Sequence, residues 1–500
     1  IIDREICVKC LSLSTYYKNQ MAEQSLKDKA AKGLFWGGVS NGLQQVLGML
    51  FGIFLARILS VDDYGLVGML AIFVAIANSI SESGFTAALT NKNEFKHADY
   101  NAVFWFNLIA GSLSYVVLFL AAPLIARFFG RVELVALSRL FFLTIILGAF
   151  ATAHSAILFK RMMVKERAKI DLCALALSGV VGILLALSGF GYWALAWQSV
   201  TFSVVTMLLR WYFSPWRPTL NVDLWPVKEM FGFSAKLLLT NIFNYINSNI
   251  FSVLLGRFYN AMEVGYYSQG NKWMSMGYSS IWGMINGVAQ PIFTEITDDK
   301  ERQRIVLRKM IRFAAFVSFP VMLGLAFIAR ELIVVAVGDK WLPSVPILQL
   351  FCVWGTVSPV QLLYSQLAIA YGRSDFYMRS HIFIGILQLV VALAMLRFGV
   401  IWMVLANVLI YTFVWTLIWQ WYINRLIGIR LGDLLRDICP YGGGAIFVFA
   451  CVYCLTGSIG NLYLSLVAKI VLSVLFYVAI MYFSKSVIFK EVVEFILKRK

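Results

Sequence analysis

The sequence predicts an all-α polytopic membrane protein of about fourteen transmembrane helices: two parallel six-helix repeats around a central cavity, plus two C-terminal helices. Three observations predict it. Composition comes first, because 60% of residues are hydrophobic, 14% are charged and the mean hydropathy is +0.77. That is too apolar for a soluble globular chain of this length. Second, fourteen apolar stretches follow one another, each of about the 20 residues a helix needs to cross the hydrocarbon core. Third, a turn is written twice, as "FLARILSVDDYGL" at 54–66 and "LLGRFYNAMEVGY" at 254–266. Strands of an outer-membrane barrel would be shorter and polar at alternate positions, and no such alternation is present.

A basic tail, 1–32, leads in. Its first twenty residues have no apolar h-region or cleavage pattern and are not read as a signal peptide. A start at Met21 is expected, with "MAEQSLKDKAAKGLFWGG" as a short basic amphipathic approach to span 1 and residues 1–20 not native. Spans 1–6 are 34–57, 64–89, 101–126, 134–159, 171–188 and 191–212, and make an N-lobe, 33–213. A cytoplasmic linker, 214–231, precedes a C-lobe, 232–425, whose spans 7–12 are 232–256, 264–290, 313–337, 345–371, 377–396 and 399–423. Spans 13 and 14, 438–456 and 461–484, lie within 426–484, and a basic tail, 485–500, follows.

A formal charge of +17 raises the question of nucleic acid, but basic residues gathered between apolar spans act as topology signals. No nucleic-acid partner is expected. The N-terminal tail and the segments after even-numbered spans hold 32 Lys and Arg, the other side 8, and Lys236, Lys272 and Lys469 fall within spans. Both termini of this multi-pass protein are therefore expected in the cytoplasm.

The repeated turn extends further. At an offset of 200, Ser40 pairs with Thr240, Asn41 with Asn241, Gln44 with Asn244, Phe51 with Phe251, Arg57 with Arg257 and Gly65 with Gly265. Later, "PLIARFFGRVELVALSRLFF" resembles "ELIVVAVGDKWLPSVPILQL" at an offset of 208, with Gly130 opposite Gly338. The eight extra residues fit a longer basic loop after span 8. Six spans separate equivalent segments, so both copies enter the membrane in one direction and the repeats are parallel.

Catalytic constellations are missing. The chain has no GxxxxGK[ST] phosphate loop, no HExxH, no plausible Ser/His/Asp set and no extramembrane domain of useful size. Cys7 and Cys10, and Cys451 and Cys454, form two CxxC pairs without further ligands at finger spacing, so no metal site is read. The protein is expected not to be an enzyme and to need no cofactor. An H+ or Na+ gradient, or the substrate's own gradient, is the expected source of energy.

Polar residues within spans carry the site reading. Asn241, Asn244 and Ser248 share one face of span 7, and Asn41, Gln44 and Gln45 stand at equivalent depth on span 1. Such amides serve either as packing glue, worth roughly 0.6 kcal/mol each, or as the wall of a wet cavity. Their repetition on equivalent helices favours a shared cleft. Lys272, eight residues into span 8, costs roughly 2.5–3.5 kcal/mol on insertion scales; it faces protein or water, or it snorkels to the interface. Glu82 either titrates with a coupling proton or pairs with a lysine. Snorkelling is the leading reading for Lys236 and Lys469, and packing for His154 and His381.

The motifs "LARILSVDDYGLVGM", "SESGFTAALTNKNEF", "FSAKLLLTNIFNYINSNIFSVLLGRF" and "VGDKWLPSVPILQLFC" resemble the polysaccharide-transporter branch of the multidrug/oligosaccharidyl-lipid/polysaccharide (MOP) superfamily. Within it the likeness is to Wzx-type flippases of the colanic acid and teichuronic acid exporter group, over residues 25–425. The resemblance implies a MOP flippase fold of two six-helix bundles around a V-shaped cavity lined by helices 1, 2, 7 and 8. It also implies alternating-access transfer of undecaprenyl-diphosphate-linked oligosaccharide to the periplasmic leaflet. Cavity candidates are then Asn41, Gln44, Glu82, Lys236, Asn241, Asn244 and Lys272, with Arg57, Gly65, Arg257 and Gly265 as equivalent helix-end residues. Expected partners are the lipid-linked substrate and membrane lipids, with polysaccharide polymerase and chain-length machinery as candidates. Two rival functions stand beside this one. A drug/cation antiporter of the superfamily would place acidic and aromatic residues in its cavity, and a polysaccharide polymerase or ligase would carry a large periplasmic loop.

Overall fold

The computed structural model describes residues 36, 38, 40–82, 97–220, 222–484 and 486–497, and among them there are helices and no strand. The helices are α1 (40–58), α2 (Val61–Glu82), α3 (His97–Phe129), α4 (Glu133–Phe141 and Leu143–Lys160), α5 (Val164–Leu187), α6 (Tyr192–Phe213) and α7 (Trp225–Phe258). They continue as α8 (Ala261–Glu295), α9 (Lys300–Phe327 and Ala329–Val337), α10 (Ser344–Ala370), α11 (Ser374–Met395), α12 (Val400–Ile427), α13 (Leu431–Thr456), α14 (Leu462–Phe483) and α15 (Val487–Leu497). Each predicted apolar stretch falls on one of the first fourteen. Among the described residues, eleven helices are long and apolar enough to cross a membrane. Helices α1, α7 and α8 are not among them, because their amides and hydroxyls lower the hydropathy. Those of α7 and α8 shape the site described below.

Three elements differ from the sequence reading. The basic stretch after span 8 was expected as loop, yet α9 begins at Lys300, capped by the Asp299 carboxylate accepting from the Arg302 N–H at 2.9 Å. Its arginines therefore project from a helix. Helix α4 is interrupted at Phe142, near its start, and α9 at Ile328, near its end. Helix α12 contains a π-helical segment, Ile410–Trp415.

The chain groups into two compact units. The first comprises residues up to Leu55 with Phe73–Ile242, and the second comprises Ala56–Ile72 with Phe243–Lys500. In the first unit, Phe104 and Asn107 of α3, Ala153, His154 and Ile157 of α4 and Trp216 are buried together or in adjoining turns. The His154 ring lies 4.6 Å from that of Trp211 and 5.2 Å from that of Trp216, which is the packing role expected of it.

In the second unit the duplicated turn meets itself. A Cβ at Gly65 would overlap the Ala261 carbonyl, and a Cβ at Gly265 would overlap the Val61 carbonyl. Val61 and Ala261 are themselves equivalent positions, so the contact is reciprocal, like an isologous interface within one chain. The acids have a local duty as well. Asp63 accepts from the Ser60 N–H (2.9 Å) while Ser60 Oγ accepts from the Asp63 N–H, closing a capping box at the start of α2. At the equivalent place in α8, Asn260 accepts from the Glu263 N–H. The turn is written twice because each copy needs a cap and a surface bare enough to admit the other copy's backbone.

The end of α1 is fastened beside this contact. Arg57 Nε donates to the Ala336 carbonyl (2.7 Å) and the guanidinium also reaches the Val335 carbonyl. Lys340 Nζ donates to the carbonyls of Arg57 (2.8 Å) and Leu59 (2.6 Å), and Trp341 Nε1 to that of Ala56 (2.9 Å). Burial lowers the pKa of Lys340, and the Asp63 carboxylate offsets part of that shift. These bonds satisfy C-terminal carbonyls that a helix leaves unpaired. They also account for Ala56–Ile72 belonging to the second unit.

Helices α13 and α14 pack on α9. Asp437 accepts from Arg308 Nε (2.7 Å) and Arg312 Nε (2.6 Å). Lys469, expected to snorkel, instead pairs with Glu331 at 2.5 Å, both side chains nearly buried, and its ammonium lies 4.8 Å from the Phe327 ring centre. A carboxylate within reach offers the ammonium a partner that the membrane interface would otherwise have supplied. Along α14, Val467, Val471, Val474 and Val478 form an exposed apolar stripe suited to lipid, while Ser465, Lys469, Tyr477 and Met481 are buried.

Candidate functional site: a cavity in the second unit

Five helices of the second unit, α7, α8, α10, α11 and α12, enclose a cavity of about 650 Å³. Each contributes polar or aromatic side chains at helical spacing. Helix α7 supplies Asn244, Asn247 and Ser248, and α8 supplies Asn271, Ser275 and Tyr278. Trp354, Ser358, Gln361 and Ser365 follow the i, i+4, i+7, i+11 pattern along α10, and Asn407, Tyr411, Trp415 and Trp419 recur every four residues along α12. Among the described lining residues there is no Asp, Glu, Lys or Arg.

Hydrogen bonds hold most of these groups in place. Gln361 Nε2 donates to the Tyr411 carbonyl (2.6 Å) and to Thr416 Oγ1 (2.9 Å), while its Oε1 accepts from Trp354 Nε1 (3.3 Å). The Tyr411 carbonyl lies within the π-helical segment, so a side chain from α10 supplies a donor where the helical ladder is irregular. Tyr411 Oη donates to Gln388 Oε1 (3.2 Å). On α11, His381 Nδ1 lies 2.9 Å from the Tyr377 carbonyl, to which it can only donate, and its ring meets the Trp415 ring edge-on at 4.8 Å. Asn247 Nδ2 approaches the His381 carbonyl at 3.4 Å, on the side where Gly385 leaves it room. Two lining residues each carry a buried atom without a partner, Asn407 Oδ1 and Trp419 Nε1. Such atoms carry a desolvation cost of about 1–3 kcal/mol each until something bonds them.

The sequence-read candidates are distributed unevenly. Asn244 lines the cavity, with Ser248 from the same stripe; Asn241 is exposed and is not part of the lining. On α1, Asn41 is exposed and Gln44 donates to Ser40 Oγ at 2.9 Å. Lys272 sits next to the lining residue Asn271, half-buried, and makes no hydrogen bond or ion pair among the described residues. By helical phase it shares the face of α8 on which Gly265 and Ser268 meet Val61 and Gly68 of α2. The side chains of Glu82 and Lys236, like Cys7, Cys10 and the "SESGFTAALTNKNEF" motif beyond Glu82, lie outside the described residues. Arg57, Gly65 and Gly265 belong to the paired turn, and Arg257 is exposed. Cys451 and Cys454 are free thiols, and no metal-binding group of residues occurs among the described ones.

What the sequence reading missed is the wall built by α10 and α12. Its signal is a period of four carrying Trp, Tyr, Gln and Asn, hidden because rings count as apolar filler in a hydropathy profile.

Comparison with known proteins agrees with this architecture. The chain is 26% identical over 365 residues to the lipopolysaccharide biosynthesis protein WzxC of Escherichia coli (strain K12), covering 72% of this chain and 73% of that one. It is 26% identical over 364 residues to the teichuronic acid biosynthesis protein TuaB of Bacillus subtilis (strain 168), covering 70% and 73%. Among solved structures, the lipid II flippase MurJ in an inward closed conformation superposes with a TM-score of 0.69 at 15% identity, over 90% of this chain and 99% of that one, which shows a shared fold. Residues 54–346 match the family described as polysaccharide biosynthesis protein, and the chain is a member of that family, with a polytopic helical fold shared with that solved structure.

Proposed function

We propose that the protein is a flippase, not an enzyme, which moves undecaprenyl-diphosphate-linked oligosaccharide repeat units across the bacterial cytoplasmic membrane by alternating access. One observation carries the reading within the family. The second unit holds a cavity walled by amides, hydroxyls and aromatic rings with no carboxylate among its described lining residues, which suits a glycan and not the cation of a drug antiporter. The physical need is plain. A glycan's hydroxyls cannot cross a hydrocarbon core of roughly 30 Å unsolvated, since each unpaired group costs several kcal/mol. A polar wall replaces water while the polyprenyl tail stays in lipid.

In this reading the chain crosses the membrane fourteen times as an N-lobe (33–213) and a C-lobe (232–425), with both termini cytoplasmic and the loops at Asp62 and Glu263 outside. Lys272, free of any partner among the described residues, attracts the diphosphate, and Asn41, Gln44, Asn241 and Asn244 meet sugar or head group along the path. Glu82 and Lys236 belong to the same path. An H+ or Na+ gradient, or the substrate's own, drives the cycle, and a polymerase with its chain-length machinery receives the product.

Two measurements test this. A strain lacking the protein accumulates lipid-linked repeat units and keeps its drug tolerance; drug sensitivity without accumulation would establish the antiporter. Lys272→Ala abolishes surface polysaccharide per unit of inserted protein, and Lys272→Arg retains part of it. Normal export by Lys272→Ala would remove Lys272 from the path.

A further inference from the structure

Resting on that reading, we propose that the cavity of the second unit is itself a saccharide-binding site, selective for an uncharged segment of the glycan and built without any residue of the first unit. Three independent observations meet there. The first is the pair of unpartnered polar atoms. Asn407 and Trp419 are lining residues 7% and 0% exposed, and their Oδ1 and Nε1 atoms are buried beside the cavity without a hydrogen-bond partner. One is an acceptor and the other a donor. They stand twelve residues apart on α12, about 18 Å at a rise of 1.5 Å per residue. A ligand that satisfies both is elongated and carries groups able to donate at one end and accept at the other. Sugar hydroxyls do both.

The second observation is the ring wall between those ends. Tyr411 and Trp415 stand on α12 between Asn407 and Trp419, and Trp354 of α10 faces Tyr411 with ring centres 5.6 Å apart. Trp354 and Tyr411 are half-buried, and their electron-rich faces suit the weakly positive C–H faces of a pyranose, while the buried Trp415 backs them. Tyr411 and Trp415 both fall in the π-helical segment, an irregularity that shifts where side chains project and that occurs frequently at functional sites. The third observation is the absence of Asp, Glu, Lys and Arg among the described lining residues, where the only ring able to take up a proton is that of His381. An acidic sugar would bury its carboxylate there without a basic partner, and an organic cation would find no acid. The cavity volume, about 650 Å³, falls within the roughly 300–1,000 Å³ usual for small-ligand sites.

The full-length protein in lipid nanodiscs, with lactose and cellobiose as uncharged probes, an unsaturated hyaluronan disaccharide as the acidic probe and tetraphenylphosphonium as the cation, provides the test by saturation-transfer NMR. At least one neutral disaccharide should receive saturation on its ring protons and the acidic one should not. Asn407→Leu and Trp415→Leu should weaken that binding at least tenfold, and Trp419→Phe about threefold. Trp419→Phe keeps an aromatic ring at that position while removing the donor, so it carries the test should the other variants fail to fold. Failure of both neutral disaccharides to bind, equal binding by all variants, or binding of tetraphenylphosphonium that depends on Asn407 would overturn the proposal. Translocation of lipid-linked oligosaccharide in proteoliposomes separates this idea from the flippase reading. Normal transfer by Asn407→Leu sinks the saccharide site and leaves the flippase. Asn407-dependent sugar binding by a wild type that transfers nothing sinks the flippase and leaves the site.

Discussion

The two halves of the repeat surround their buried polar groups differently. In the first, His154 and Asn107 are fully buried without hydrogen-bond partners, the histidine packed among the rings of Phe104, Trp211 and Trp216. In the second, amides and rings from five helices stand around a cavity, and side-chain hydrogen bonds hold them apart. The backbone devices, by contrast, are kept in both halves. Gly130 and Gly338 both have positive φ just after a helix, and Gly191 and Gly399, also 208 residues apart, have positive φ just before one. The hairpin after α4 and that after α10 share a hydrogen-bond pattern, Met163 N–H to the Leu158 carbonyl and Arg373 N–H to the Ala368 carbonyl, both at 3.0 Å. Duplication preserved the turns and let the interior diverge.

The largest effect that could break this comparison lies where the two copies touch. Gly65→Leu and Gly265→Leu should each abolish accumulation of inserted protein, because a side chain must displace a helix backbone, beyond the roughly 1–3 kcal/mol typical of core overpacking. Gly48→Leu, with open space around its Cβ position, should accumulate normally. Immunoblots of membrane fractions decide it. If only one of the two paired glycines were sensitive, the reciprocal contact would be wrong.

Next in size is the anchoring of α13, which the second half alone possesses. Asp437→Leu leaves Arg308 and Arg312 without their shared carboxylate and should cost roughly 2–4 kcal/mol. That is somewhat under the figure for a wholly buried pair, since Arg312 remains partly exposed. The readout is the midpoint of thermal aggregation in detergent. Replacing all three by Leu, Met and Met should recover most of the loss, and an equal loss in the triple variant would mean the network is not what destabilises the single one.

The smallest effect sharpens the comparison. Met162 is the one non-glycine residue with positive φ among those described, and it occupies the hairpin position that Gly372 takes in the other half. Met162→Gly should stabilise by about 1 kcal/mol and Gly372→Ala destabilise by a similar amount, as the left-handed region costs an L-residue roughly 1–2 kcal/mol. A rise in the same aggregation midpoint for the first and a fall for the second is the expected pattern; equal shifts in one direction would show that the two hairpins are not equivalent.

The sequence by itself determined the class, the helix positions and the duplication. Crossing a membrane demands long apolar runs, and parallel copies leave equivalent residues at constant offsets. It also marked Asn244 and Ser248, because a polar stripe at helical period on an apolar span is conspicuous. Only the tertiary structure decided what each stripe faces. Asn241 and Asn244 are one turn apart on α7, yet one is exposed and the other lines the cavity, since neighbouring helices, not the period, choose the buried arc. Lys469 and Glu331 are 138 residues apart and meet through the packing of α14 on α9. The wall of α10 and α12 became visible only there too. Its tryptophans and tyrosines read as ordinary membrane filler until the π-helical turn, held by Gln361 from another helix, set them around a common space. Local chemistry selects a helix, but which of its faces meets a partner is a long-range packing outcome that period and composition do not encode.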